Sequence, residues 1–262
     1  MTYLPHRHSA TALLVAALWL CGCERTAPVE ESPSLPTGYW QASITLPGGN
    51  IETGIEISLD GDSYSASLVN GQERVRIDEV AFADNELLLR FPAFNNEIRA
   101  SLEDGRLVGE LTLVKRFGET QVMPFSASPG GAAPGEQNTE ANHDLSGRWA
   151  ARFHAPDGSD SASIGEFAQR GARLFGTFLN PNGDHRFLAG HVRGDDFHLS
   201  TFDGAHAFIF SGSIDADGRI VNADFWSGTS WHQKWSAERN QSVQLPDAFS
   251  RTWLKPGYER FE

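Results

Sequence analysis

Histidine is the residue type whose distribution most suggests chemistry, because six of nine, His154, His185, His191, His198, His206 and His232, fall within residues 144–238. Neutral imidazoles ligate Zn²⁺ and other transition metals and act as general bases near neutral pH. Their spacing does not build a metal site. His154 and His232 alternate with residues that should face inward, and His185 and His191, read on one strand, would stand about 20 Å apart. No metal and no cofactor is expected. A more specific cluster is Phe202-Asp203-Gly204-Ala205-His206-Ala207-Phe208, followed by Asp224-Phe225-Trp226-Ser227-Gly228 and Trp231-His232. Asp203 beside His206 at a strand entrance could form a carboxylate–imidazole pair. Phe208, Phe210, Trp226 and Trp231 could wall a barrel mouth that takes a small ligand. The plainer alternative is core filling plus turns. No nucleophile or oxyanion donor accompanies the pair, so catalysis is not expected. The chain also lacks H-E-x-x-H, G-x-S-x-G, a Walker-type loop and C-x-x-C. Asp215-Ala216-Asp217-Gly218 reads as a hairpin turn, since a calcium loop needs further oxygen ligands and a distal Glu.

The two cysteines sit at the end of a leader. His6, Arg7 and His8 precede an apolar run from Ala10 to Leu20, then Cys21-Gly22-Cys23. Such a run is too short to span a bilayer, which needs roughly 20 helical residues, and it reads as a secretion signal over residues 1–22. Leu20-Cys21-Gly22-Cys23 resembles a bacterial lipobox, in which a small residue precedes a lipidated Cys. Cys23 is therefore the expected acylation site and the membrane the expected partner, because several acyl chains at about 0.8 kcal/mol per buried CH₂ anchor stably. Removal of the leader takes away Cys21, leaving no thiol for a redox pair or a thiolate metal site. Glu24 after the acylated Cys favours the outer over the inner membrane, on the periplasmic side.

The sequence holds 34 acidic and 21 basic side chains, a formal charge of −13. That balance argues against nucleic acid or anionic lipid headgroups as partners; a periplasmic protein or a small molecule remains. Gly at 26 and Pro at 13, with 11% aromatics, fit a turn-rich globular protein.

The elements that must position these residues come in two related sets. Gly38-Tyr39-Trp40 aligns with Gly147-Arg148-Trp149, Gly105-Arg106-Leu107-Val108 with Gly218-Arg219-Ile220-Val221, and Phe125-Ser126-Ala127 with Trp235-Ser236-Ala237. Three matches in one order indicate two copies of one domain. Within each copy the period is two: Ile55, Ile57 and Leu59 share a face, as do Leu87, Leu89 and Phe91, or Trp149, Ala151 and Phe153. His206, Phe208 and Phe210 also fall on one face. Turn signals such as Asp60-Gly61, Asp104-Gly105, Asn182-Gly183 and Asp217-Gly218 recur between the runs. The expected fold is all-β: two tandem antiparallel meander barrels, lipocalin-like, with about eight short strands each. The order is a tether at 23–36, β domain 1 at 37–127, a Gly- and Pro-rich linker at 128–143, β domain 2 at 144–238, and a tail at 239–262.

FDGAHAF, DFWSG with WH shortly after, LPDAF and LKPGY together resemble the amino-terminal region that precedes the thioredoxin-fold domain in TlpA-like (redoxin) thiol-disulfide reductases. The likeness covers mainly residues 147–259. It implies a disulfide reductase or peroxide-related role carried by a C-x-x-C on a following domain, which this sequence does not contain. The tail residues Phe249, Trp253, Leu254 and Tyr258 would lead toward that domain. The expectation is thus a lipid-anchored, non-catalytic accessory or binding module, with a stand-alone lipocalin-like ligand binder as the alternative.

Overall fold

The computed structural model describes residues 1–2, 34–131 and 141–246. Leader residues 3–22, Cys23 and the tail residues Phe249, Trp253, Leu254 and Tyr258 lie outside the described residues. Pro33–Glu262 forms one compact unit, and its described residues are two nine-stranded antiparallel sheets.

The first sheet runs β1 (Gly38–Leu46), β2 (Gly49–Asp60), β3 (Ser63–Asn70), β4 (Glu73–Arg76), β5 (Glu79–Ala83), β6 (Glu86–Phe91), β7 (Asn96–Glu103), β8 (Arg106–Val114) and β9 (Thr120–Pro129). Its spatial order is β4-β3-β2-β1-β9-β8-β7-β6-β5, so β4 and β5 are its two edges and the sheet is a curled half-barrel. The second comprises β10 (Gly147–His154), β11 (Asp160–Arg170), β12 (Arg173–Asn180), β13 (Gly183–Asp184), β14 (Leu188–Arg193), β15 (Asp196–Phe202), β16 (Ala207–Ile214), β17 (Ile220–Ser227) and β18 (Trp231–Arg239). Here β11 pairs with β12, from Ile164 opposite Leu179 to Arg170 opposite Arg173, and eight strands close into a ring with the two-residue β13 outside it. The fold is two tandem barrels, one closed by eight strands and one left open with nine, in line with the expected two all-β barrels of about eight strands each.

The repeated sequence positions carry repeated geometry. Gly38 and Gly147 both have φ of +109°, a region that an L side chain rarely adopts. Two residues on, the buried Trp40 and Trp149 each donate their indole N–H to a carbonyl four residues back, Pro36 at 3.0 Å and Leu145 at 2.8 Å. Ile44 lies opposite Phe125 and Ala42 opposite Ala127; Phe153 lies opposite Trp235 and Ala151 opposite Ala237.

Two expectations need correction at the ends of elements. Leu35, placed in the tether, is buried and its N–H donates to the Tyr64 hydroxyl at 3.0 Å. Leu59, placed on the buried face with Ile55 and Ile57, is 46% exposed because it reaches the hairpin end where the sheet no longer covers it.

The cores explain how the two sheets combine. The closed barrel is filled by rings: Phe153, Phe178, Phe210, Phe225 and Trp235 pack with Leu174, Leu188 and Leu199. Phe210 stacks on Phe225 at 4.4 Å and on Phe178 at 4.6 Å between centroids. The half-barrel buries Trp40, Ile44, Ile55, Leu87, Leu89 and Leu111, and its cluster also takes in Phe202, Ala207 and Ile209 from β15 and β16. Strand β16 is thus buried on both faces, Phe208 and Phe210 toward its own barrel, Ala207 and Ile209 toward the other sheet. The half-barrel curls over the outer wall of the closed barrel.

Candidate functional site

The residues singled out from sequence divide between interior, seam and surface. Asp203 and His206 do come together: their side chains approach at 3.4 Å. The Asp203 carboxylate also accepts the backbone N–H groups of Ala205 at 3.0 Å and His206 at 2.7 Å, and the Arg186 Nε–H at 2.7 Å. Burial pushes its pKa up, but these hydrogen bonds, led by that from the His206 side chain, outweigh burial and hold the carboxyl well below the usual range. The group stays a carboxylate and is fully engaged, which suits a turn-maker better than a base.

Phe208 and Phe210 point into the ring-filled interior, whereas Trp226 and Trp231 do not join them. Successive residues of a strand face opposite ways, so with Phe225 inward Trp226 must point out. There it lies over Gly48 of the half-barrel and stacks on His232 at 4.3 Å. Trp231 is 49% exposed at the start of β18. The expected aromatic wall at a barrel mouth is therefore split, and the four rings do not face one cavity. His185 also departs from expectation: it lies between β13 and β14 rather than on a strand with His191. Among the described residues no group of three or more His, Cys, Asp or Glu is placed to hold a metal ion.

The concave surface lies instead on the outside of the closed barrel, over the β11–β12 pairing. One cavity of about 440 Å³ is lined by Arg148, Arg170, Arg173, Phe167, Phe175 and Phe187 among others. A second of about 430 Å³ is lined by Glu73, Thr177, Asp184 and Arg186, and both share Glu166, Gly176 and Phe187, so they adjoin. The register makes this site: Glu166 stands opposite both Arg148 and Thr177, and Ala168 opposite Phe175. Arg148 Nε lies 2.9 Å from Glu166 Oε1. Glu73 comes from β4 of the half-barrel, which reaches over through Asn70, whose amide donates to the Phe187 carbonyl at 2.9 Å and to Thr201 Oγ1 at 3.0 Å.

The second cavity contains two buried polar atoms without a hydrogen-bond partner, Glu73 Oε2 and Thr177 Oγ1. Burial raises the Glu73 pKa, with Arg186 opposing the shift and Asp203 adding to it. A buried polar atom left unpaired costs free energy that a bound polar group recovers.

No family model matches the sequence, and no curated protein matches it. Among solved structures, the chain is similar to the crystal structure of a protein of unknown function from the DUF3598 family of Nostoc punctiforme. The two are 12% identical, the match covers 79% of this chain and 97% of that one, and the TM-score is 0.28.

The motif segments have a structural place of their own. In FDGAHAF, the Phe202 ring meets Phe91, a Cβ on Gly204 would come 2.5 Å from the Phe91 ring, and Ala207 enters the half-barrel core. In DFWSG, a Cβ on Gly228 would strike Gln121 of the half-barrel, whose amide donates to Ser230 Oγ at 2.6 Å. These segments form the seam between the sheets. Sequence reading missed Glu73, Glu166, Arg170, Arg173, Thr177 and Arg186. The available signal was the alternation of Arg173, Phe175 and Thr177 against the buried Leu174 and Phe178.

Proposed function

We propose that this chain is a lipid-anchored, periplasm-facing binding module without catalysis of its own, and that the double cavity over β11 and β12 is its binding site. The observation that carries the reading is the pair of unsatisfied buried atoms, Glu73 Oε2 and Thr177 Oγ1, beside a cleft of small-molecule size. The filled aromatic interior of the closed barrel makes a lipocalin-like internal site the weaker alternative. Anchoring rests on the lipobox-like Cys23. The accessory role rests on the resemblance to the region preceding a thioredoxin-fold domain, and on an engaged Asp203–His206 pair with no nucleophile beside it.

The test uses residues 24–262, which contain the whole compact unit Pro33–Glu262, in a ligand-observed NMR screen of small molecules. Ala168 is exposed and lines the first cavity, so Ala168→Trp fills the cleft without touching a core. Hits that disappear with this variant support the assignment. Hits that bind the variant unchanged overturn it. Insulin reduction with dithiothreitol should stay at background, and acyl labelling in cells should require Cys23.

A further inference from the structure

We infer that the cleft selects a small amphipathic organic anion, with a flat apolar body and one anionic head held at the Arg170 end. This deepens the binding-module reading and rests on it. Of the three guanidinium groups that line the first cavity, Arg173 is engaged over the Phe175 ring, which leaves Arg148 and Arg170 beside the carboxylate of Glu166. Arg148 is the partner of Glu166. Arg170 is exposed, and its guanidinium has no hydrogen-bond or ion-pair partner among the described residues. In a chain of formal charge −13, this is a local reversal of sign, and an anionic head is what it complements.

The body of the ligand is specified by the rings. Phe175 and Phe187 stack with centroids 6.0 Å apart and planes at 25°, and Phe167 lines the same cavity. The Arg173 guanidinium lies 5.6 Å from the Phe175 centroid, a cation–π contact that fixes that ring. Gly71 braces Phe175 from the half-barrel, since a Cβ there would come 2.8 Å from the ring. A preformed wall of this kind takes an aromatic or flat aliphatic body without ordering cost.

The adjoining cavity sets the orientation. It is lined by Glu73, Glu166 and Asp184, and the charge of its Arg186 is already committed to Asp203 at 2.7 Å. An anionic head is repelled there and attracted at Arg170, so the ligand lies in one direction along the cleft.

A matched pair of probes tests this: 1-anilinonaphthalene-8-sulfonate, and N-phenyl-1-naphthylamine, which shares the aromatic body but has no charge. With residues 24–262 the sulfonate should bind saturably and at least about tenfold more tightly than the neutral probe, as charge-assisted bonds of this type imply. Arg170→Glu should weaken the sulfonate about tenfold and leave the neutral probe and the melting temperature unchanged. Equal binding of both probes, or sulfonate binding indifferent to Arg170→Glu, overturns the anion assignment. If both probes are lost in Ala168→Trp, the cleft itself stands even then; if neither responds to Ala168→Trp, the binding-module reading fails first. Cosedimentation with phosphatidylglycerol vesicles that requires Arg170, without sulfonate binding, would also overturn the inference, in favour of a lipid surface.

Discussion

The ring of Phe202 meets that of Phe91 edge-on, with centroids 5.5 Å apart and planes at 85°, although the two residues belong to different sheets. Phe202 is 1% exposed and packs in the core of the half-barrel, not of its own barrel. A half-barrel with open edges thus closes its core on the wall of its neighbour. Residues 34–246 should therefore unfold in one cooperative transition, and residues 34–131 alone should not fold. Phe202→Ala should cost about 3 to 5 kcal/mol, the usual range for a buried ring, and shift the whole denaturant curve. Two separable transitions, only one of them moved, would contradict a shared core.

Asn70 offers a polar test of the same seam. Its side-chain amide donates to the Phe187 carbonyl, the Ser200 carbonyl at 3.4 Å and Thr201 Oγ1. Asn70→Ala leaves these acceptors facing an apolar gap, so stability should fall by about 1 to 3 kcal/mol. Asn70→Asp should be worse, because a carboxylate offers no donor and would be buried charged. Urea midpoints for the two variants check the order; an Asp variant as stable as the parent would mean that water reaches the seam.

The fold was legible in the sequence because half-buried strands impose a period of two, and because the duplicated Gly-x-Trp, Asp-Gly and aromatic-Ser-Ala positions mark equivalent strands. Leu87, Leu89 and Phe91 are all buried, as their spacing requires. The seam was less legible. A strand buried on both faces, such as β16, loses alternation, and the run Ala207-Phe208-Ile209-Phe210 gives no sign of which ring faces which core. The cleft was legible least. Its residues come from β4, β10, β11, β12, β13 and the segment after β13, and nothing local to any of them signals that register brings Arg148, Glu166 and Thr177 into one row.

Asp203 is held at a turn rather than poised for proton transfer, and its substitutions should separate these roles. With its side chain 4% exposed, Asp203→Ala strands the N–H groups of Ala205 and His206 and frees Arg186. The expected loss is about 2 to 4 kcal/mol, mostly from the two unsatisfied donors, with a smaller share from an ion pair whose Arg186 end is half exposed. Asp203→Asn keeps an acceptor for the two N–H groups and should lose less. His206→Ala removes only a half-exposed ring and should change stability by less than about 1 kcal/mol. Thermal melts of the three variants measure this ranking; His206→Ala as damaging as Asp203→Ala would show that the imidazole, not the loop N–H groups, anchors the carboxylate.

His185 makes the fold sensitive to mild acid. Its ring sits among Phe225, Phe210 and Phe208 at 5.0, 5.3 and 5.5 Å, and the Asn180 amide lies 3.1 Å from Nδ1. Burial pushes its pKa down from 6.5 to about 4, with Asp184 opposing and His206 assisting. An amide N–H donating to Nδ1 requires the unprotonated nitrogen, so protonation would break that bond as well as charge an aromatic enclosure. Below pH 6.5 the unfolded chain takes up a proton that the native state refuses until about pH 4. Stability is therefore full above the upper value and falls as pH drops through the window. Integrated down to about pH 4.5, the loss is roughly 2 to 3 kcal/mol. His185→Phe cannot titrate, so the stability difference between variant and parent should move in the variant's favour by that amount between about pH 7 and about pH 4.5. Urea denaturation at the two pH values measures the difference, and a gap that stays constant would place the imidazole in contact with water.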